Sequence, residues 1–493
     1  MIIGGLDVGT TGCKLTLYDE NAALIHTDYR EYPAVHAGGC HEIHMEDIRA
    51  GVLELLRQAA HAYRIEALGV TSFGETFVML DEHDAVLAPS MLYTDPRGAE
   101  ECAALCAAVG EERLTLLSGA KPHPMYSIAK LLWMKNNRPE IYARCRRILL
   151  GEDFIVYTLT GNPQIDYSLA ARTGAFDIAK KRWIPEVFRA TGVDMSRMSR
   201  PVPSGTPAGT LRAPIQALLG IDYTFTVVNG CHDQVAAMIG SGVFRTDCAM
   251  DGTGTVECMP VILTEKPTDV AFYRCGYSVV PYVGDWYACY ALSFTGGATL
   301  KWFRDNFAEW EQRETQSRGE NVYAVLDSRA GDRPSGILVL PHFAGAATPY
   351  MDNDAKAAFV GVTLETTKYE LYRALMEGTS YEMRLNFSRL RALTGDIREI
   401  RASGGGAVSD VWLQIKADIL DSEITALAAK EVGAAGTAAL AGVAVGAYAD
   451  VQTAAARMAP VRKVFQPNAK NRQVYDACYM RYEKLYDAVK ELR

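Results

Sequence analysis

The chain has 493 residues, about half of them apolar and 22% charged, with a formal net charge of -9. That composition is of an ordinary globular protein, and the length exceeds what one hydrophobic core organises, so two large domains are expected. The acidic balance argues against a dedicated nucleic-acid or anionic-membrane surface.

The chain opens on a short apolar run, residues 1–7, with neither a basic flank nor a cleavage site. It does not read as a signal peptide. Residues 2–8 read as a strand, Gly9-Thr10-Thr11-Gly12 as a tight turn, and 13–18 as a second strand; 23–28 forms a third. Cys40-His41-x-x-His44 lacks a second ligand pair, so a polar surface loop is expected there rather than a metal site. Helical periodicity covers 45–62, followed by a buried strand at 67–71. The 11 cysteines are scattered and odd in number, which points to reduced thiols in a cytoplasmic protein rather than a disulfide scaffold. No apolar stretch is long enough to cross a bilayer.

Helix and strand alternate up to residue 228. Asp233 then falls between a strand and the helical run 235–239, where a carboxylate can take a proton from a substrate hydroxyl or cap the helix. Near the middle the opening device recurs. Asp251-Gly252-Thr253-Gly254-Thr255 follows an apolar run and precedes another strand, as Asp7-Val8-Gly9-Thr10-Thr11 does. Glycine lets backbone approach a phosphate closely, and turn amides with hydroxyls donate to its oxygens. Lys14, two residues past the first turn, is within reach of such a phosphate. An internal duplication divides the chain into 1–243 and 244–493. A third glycine cluster, Ser403-Gly404-Gly405-Gly406-Ala407, follows a strand at 399–402 and precedes a helix from Asp410, which suits a flat ring or a phosphate. Neither the dinucleotide fingerprint nor a P-loop occurs. Residues 471–493 read as one amphipathic helix.

Together these segments resemble the FGGY family of carbohydrate kinases over nearly the whole chain. Residues 125–137, Met125-Tyr126-Ser127-Ile128-Ala129-Lys130 onward, fit the family's first signature. Residues 357–377 around Gly361 fit the second except at Leu375, and Asp166-Tyr167-Ser168 and 403–407 match further segments. The resemblance implies an α/β fold of two actin- and Hsp70-like (ribonuclease H-like) ATPase domains, with ATP and magnesium in the interdomain cleft. It implies that Asp7 holds magnesium through water, with Asp233 at the metal as well. Thr10, Thr11 and Lys14 then form the first phosphate loop, and Thr253 belongs to the second. Gly297 and Lys301 make a further nucleotide contact, and Gly406 and Asp410 flank adenine and ribose. Asp233 is the catalytic base. Gly74, Glu75, Tyr93, Asp233 and Gln234 would contact the sugar.

Members acting on xylulose carry Met-His at the positions of Gly74-Glu75, and glycerol kinases carry Arg-Glu, so the arginine is missing here. Glu75 suits a neutral ketose or polyol and counts against an acidic sugar, unless an arginine lies nearby. The expected partners are therefore ATP and a small sugar or polyol, with neither nucleic acid nor membrane, and with a homodimer left open. The rival reading is a non-catalytic, chaperone-like ATP-binding protein of the same fold.

Overall fold

The apolar run Ile2–Val8 is buried along most of its length, as expected of a strand covered on both faces. In a computed structural model, which describes residues 1–492 apart from the side chains of residues 36 and 37, it lies near the middle of a six-stranded sheet. The strand order is 207–210, 226–232, 65–72, 2–8, 12–18, 24–31. Strands 2–8, 65–72 and 226–232 are parallel to one another, whereas 12–18 and 24–31 form antiparallel hairpins from the first strand.

A second, seven-stranded sheet repeats this plan in the order 278–281, 287–293, 257–263, 248–253, 399–403, 423–427, 461–465. Strand 248–253 takes the place of 2–8, pairing antiparallel with 257–263 and parallel with 399–403. The first sheet runs as three antiparallel strands, two parallel ones and an antiparallel edge strand, and the second does the same with one further antiparallel strand, 278–281, at its start. All strands of the first sheet lie before residue 233 and all of the second after 247.

The halves are not closed units. Helix Val432–Ala444, which follows strand 423–427, packs on the first sheet. Its alanines and glycines permit near-backbone contact: a Cβ on Gly5 would lie 1.9 Å from the Ala434 carbonyl oxygen, and one on Gly69 2.2 Å from that of Thr437. Helix Asp233–Gly240 crosses it just as closely, Gly436 meeting the Ala236 carbonyl.

Helix Met45–Ala62 covers the residues its periodicity marks, burying Met45, Ile48, Val52, Leu55, Leu56 and Ala59. Two expectations change. Cys40–Ile43 is a short strand rather than a loop, its His41 N–H donating to Asp95. The C-terminal helix is two, Ala469–Tyr482 and Leu485–Lys490. On either side of the break Tyr482 donates to the buried Glu382 and Tyr486 to the partly buried Asp352. Residue 493, the last of the expected helix and of the second half, lies outside the described residues. Among the described residues no helix is long and apolar enough to cross a membrane.

Candidate active site

Parallel register decides which residues meet. Asp7 pairs with Thr71 and Val8 with Ser72, and Ser72 pairs with His232. The turn 9–11, the segment 73–76 and the start of helix Asp233–Gly240 therefore emerge side by side at the carboxyl ends of three strands, where open α/β sheets hold ligands.

Asp233 is the first residue of its helix, and its side chain is about one-third exposed (32%). Its Oδ1 is sealed from solvent without a hydrogen-bond partner. Neutral His232 brings Nε2 to 3.2 Å from that oxygen, outside hydrogen-bonding alignment. Burial, then the charges of Asp7 and Glu75, push the Asp233 carboxyl up to about 7. Asp7 is pushed to about 6 by its own burial, which outweighs the opposing pull of Lys14. Burial and the nearby Arg172 hold His232 well below the usual imidazole range. The Tyr290 hydroxyl sits 3.3 Å from its Nδ1.

Glu75 is buried and adopts a left-handed backbone (φ 63°) that costs a non-glycine residue roughly 1–2 kcal/mol. Two contacts hold it there. Ser127 Oγ donates to its carbonyl at 2.5 Å, and Arg172 Nε donates to its Oε1 at 2.6 Å. Arg172 also reaches across to Ser278 Oγ at 3.2 Å, tying this pocket to the second sheet. A Cβ on Gly74 would crowd the Arg172 stem at 3.0 Å, so a side chain there would push the guanidinium aside. Tyr93 is 46% exposed, but the charges of Glu75 and Asp233 both act on its phenol, which places it in the same cleft. Gln234 is partly buried, one residue into the helix of Asp233.

At the first turn, the Gly9 N–H donates to the Gly12 carbonyl, leaving Thr10 and Thr11 at the tip. Lys14 is engaged: its ammonium pairs with Glu431 at 2.5 Å, just before the helix that lies on the first sheet. A Cβ on Gly433 would sit 2.9 Å from Asp7 Oδ2, so Asp7 faces the start of that helix.

The second half builds a cavity of about 490 Å³. Gly254 and Thr255, the first turn of helix Gly297–Phe307, helix Val322–Arg329 and the segment 405–412 line it. The Gly297 N–H donates to the Gly254 carbonyl at 2.8 Å. The glycine cluster fits because a Cβ on Gly404 would strike the Thr253 carbonyl at 2.6 Å and one on Gly406 the Thr253 side chain at 2.6 Å.

Three residues expected at the nucleotide have their polar groups engaged by other side chains. The Thr253 hydroxyl faces inward, bonded to Asp251 at 2.7 Å and accepting from Lys416 at 2.8 Å. The Asp410 carboxylate does not line the cavity; it pairs with Arg462 at 2.9 Å and Lys463 at 2.6 Å. Lys301 lines the cavity, with its ammonium 2.7 Å from Asp305. Gly297 and Gly406 both line it.

Sequence reasoning also missed several side chains. Lys416 is buried and donates to Asp251, Thr253 and Glu257, so its three protons are all placed. Burial alone would lower its pKa, but the two carboxylates raise it. Burial raises Glu257 in turn. Arg172, six residues past Asp166, carried no local signal, since its partner Glu75 lies 97 residues away. Asp166 caps the helix leading to it and accepts from Ser168, whose Oγ in turn accepts the His232 N–H at 2.9 Å.

The donor set suits a hard cation that keeps its water. Asp7 and Asp233 are two mutually repelling carboxylates, one with an unpartnered oxygen. No group of three or more His, Cys, Asp or Glu side chains able to hold a metal occurs among the described residues. Two carboxylates fit magnesium bound largely through water and phosphate.

Comparison with known proteins agrees with this layout. The N-terminal domain of the FGGY family of carbohydrate kinases matches residues 2–240, and its C-terminal domain matches 252–445. Xylulose kinase of Staphylococcus epidermidis is 27% identical, covering 100% of this chain and 97% of that protein. Gluconokinase of Bacillus subtilis is 27% identical over 85% of this chain and 83% of its own. The structure of ligand-bound xylulose kinase from Lactobacillus acidophilus superposes with a TM-score of 0.89 at 24% identity, over 99% of this chain and 98% of that one, and shows the same fold.

Proposed function

The chain belongs to the FGGY family of carbohydrate kinases and is an ATP-dependent kinase of a sugar or polyol; from that premise we propose that its acceptor is a hydroxyl of a neutral ketose or polyol, deprotonated by Asp233. The observation that carries this is the unpartnered Asp233 Oδ1 at a strand end shared with Asp7 and Glu75.

Phosphoryl transfer depends on positioning and charge neutralisation more than on covalent chemistry. Asp233 orients the acceptor hydroxyl and takes its proton, assistance typically amounting to about 10²–10⁴-fold. Glu75, fixed by Arg172, accepts from further sugar hydroxyls, and Gly74, Tyr93 and Gln234 complete the pocket. The Arg172 charge is balanced by Glu75. With Asp233 added, the pocket is net negative once that base is ionised, which favours a neutral sugar over a carboxylate such as gluconate. Thr10 and Thr11, with the turn amides, take the phosphates from one side; Gly254, Thr255 and the amino end of helix Gly297–Phe307 take them from the other. Lys14 exchanges Glu431 for a phosphate oxygen when the cleft closes. Magnesium, held through water by Asp7 and Asp233, supplies charge neutralisation at the transferring phosphate. Gly406 and Lys301 border the adenosine, with Asp410 and Thr253 supporting it from behind. We place the seam between lobes near residue 243, giving domains 1–243 and 244–493, and the protein in the cytoplasm.

The test is ADP release over a panel of ketoses, polyols and aldonic acids, with the product identified by mass spectrometry. Turnover with a neutral acceptor is expected. A preference for an aldonic acid would overturn the substrate reading.

A further inference from the structure

The cavity in the second half has two chemically distinct ends. One carries the Gly254–Thr255 turn and the start of helix Gly297–Phe307, whose positive dipole end attracts anions although its Gly297 and Ala298 N–H groups donate to the Gly254 and Thr255 carbonyls. The other is bounded by helix Val322–Arg329 and contains one carboxylate, Asp327. A carboxylate repels phosphate, so the ends fix the direction of a bound nucleoside triphosphate. Its phosphates lie toward Gly254 and its base toward Asp327, against Leu300, Tyr323 and Val408.

Asp327 is held rigidly. The Tyr372 hydroxyl donates to its Oδ1 at 2.9 Å, and Ser409 also hydrogen-bonds to it. No Lys or Arg pairs with it among the described residues; the nearby cations are taken, Lys301 by Asp305 and Lys463 by Asp410. With hydroxyls already donating to it, the carboxylate offers the base only acceptor positions. An exocyclic amine fits such a position. A ring carbonyl in the same place would set acceptor against acceptor, with neither satisfied.

Resting on the nucleotide assignment above, we propose that Asp327 is the base-specificity determinant of this kinase, accepting from the 6-amino group of adenine and rejecting 6-oxo purines.

The experiment measures kcat/KM for ATP, ITP and GTP in the wild type, Asp327→Asn and Asp327→Ala, with Ala324→Trp as a blocker of the same cavity. Wild type should favour ATP over ITP by tenfold or more. Asp327→Asn keeps a group able to accept from Tyr372 but can also donate to a ring carbonyl, and it should narrow that ratio at least tenfold, mainly by improving ITP. Asp327→Ala should narrow it by weakening ATP. A ratio unchanged in both variants, while Ala324→Trp raises the KM for ATP, overturns the proposal and leaves the nucleotide assignment standing. A KM for ATP unmoved by Ala324→Trp shows that the nucleotide lies elsewhere and overturns both.

Discussion

Arg172 and Glu75 meet at 2.6 Å across 97 residues of chain, with their side chains only 9% and 5% exposed. The arginine absent beside Glu75 in sequence is supplied by another segment. The pair turns what would be an isolated buried charge into a paired, fixed carboxylate, the acceptor proposed for sugar hydroxyls.

Glu75→Gln should therefore raise the KM for the sugar while leaving that for ATP nearly unchanged. Loss of a charge-assisted hydrogen bond in a dry site costs about 1.5–3 kcal/mol, or roughly ten- to a hundred-fold in kcat/KM. The same change leaves Arg172 uncompensated, so gluconate should inhibit the variant more strongly than the wild type. An unaltered KM with the true acceptor would remove Glu75 from the sugar site.

Asp7→Ala should shift the magnesium requirement. Turnover falls at ordinary magnesium and is partly recovered at high concentration, because a hard cation has lost one of its two carboxylates. Titration of rate against magnesium checks this; a normal curve would make Asp7 a structural turn residue.

The raised pKa of Asp233 has two consequences of opposite sense. The base must be ionised to work, so kcat/KM should fall about tenfold per pH unit below about 7. For stability, the folded state keeps a proton that the unfolded chain releases between pH 3.8 and about 7, so stability falls as pH rises through that window. Asp233→Asn abolishes the effect. The variant should be more stable than the wild type at pH 8 by about 1–2 kcal/mol, the side chain's partial exposure keeping the gain below the full shift, and the difference should vanish near pH 4. Thermal unfolding at the two pH values decides it.

Lys416→Met should destabilise the protein by about 3–5 kcal/mol, because it strands the Asp251 and Glu257 carboxylates inside the core. Adding Asp251→Asn and Glu257→Gln should restore much of the loss in urea unfolding. Failure of that rescue would mean that Lys416 acts through packing against Trp412, over whose ring its ammonium sits at 4.6 Å.

Much of this was legible because it is local. Both strand-turn-strand starts, the Met45–Ala62 helix and the strand-to-helix position of Asp233 follow from patterns within a few residues. Sheet order, in contrast, brings distant segments together, and no window of sequence contains it. Hence Arg172 and Lys416 escaped notice, and Asp410 was placed at the ribose although Arg462 and Lys463, on the neighbouring edge strand, draw its carboxylate away. The direction of the Thr253 hydroxyl was hidden for a similar reason. Alternation along its strand turns the hydroxyl inward, toward a lysine 163 residues away.

The central claim is that Asp233 accepts the proton of the acceptor hydroxyl. It is tested most directly by comparing sugar-dependent ADP release in wild type and Asp233→Asn, with ATP affinity measured in parallel by calorimetry. The account predicts that the variant loses at least 99% of sugar-dependent turnover, the low end of roughly 10²–10⁴-fold base assistance, while binding ATP with nearly wild-type affinity. Retention of more than about a tenth of the wild-type rate, with ATP binding intact, would contradict it.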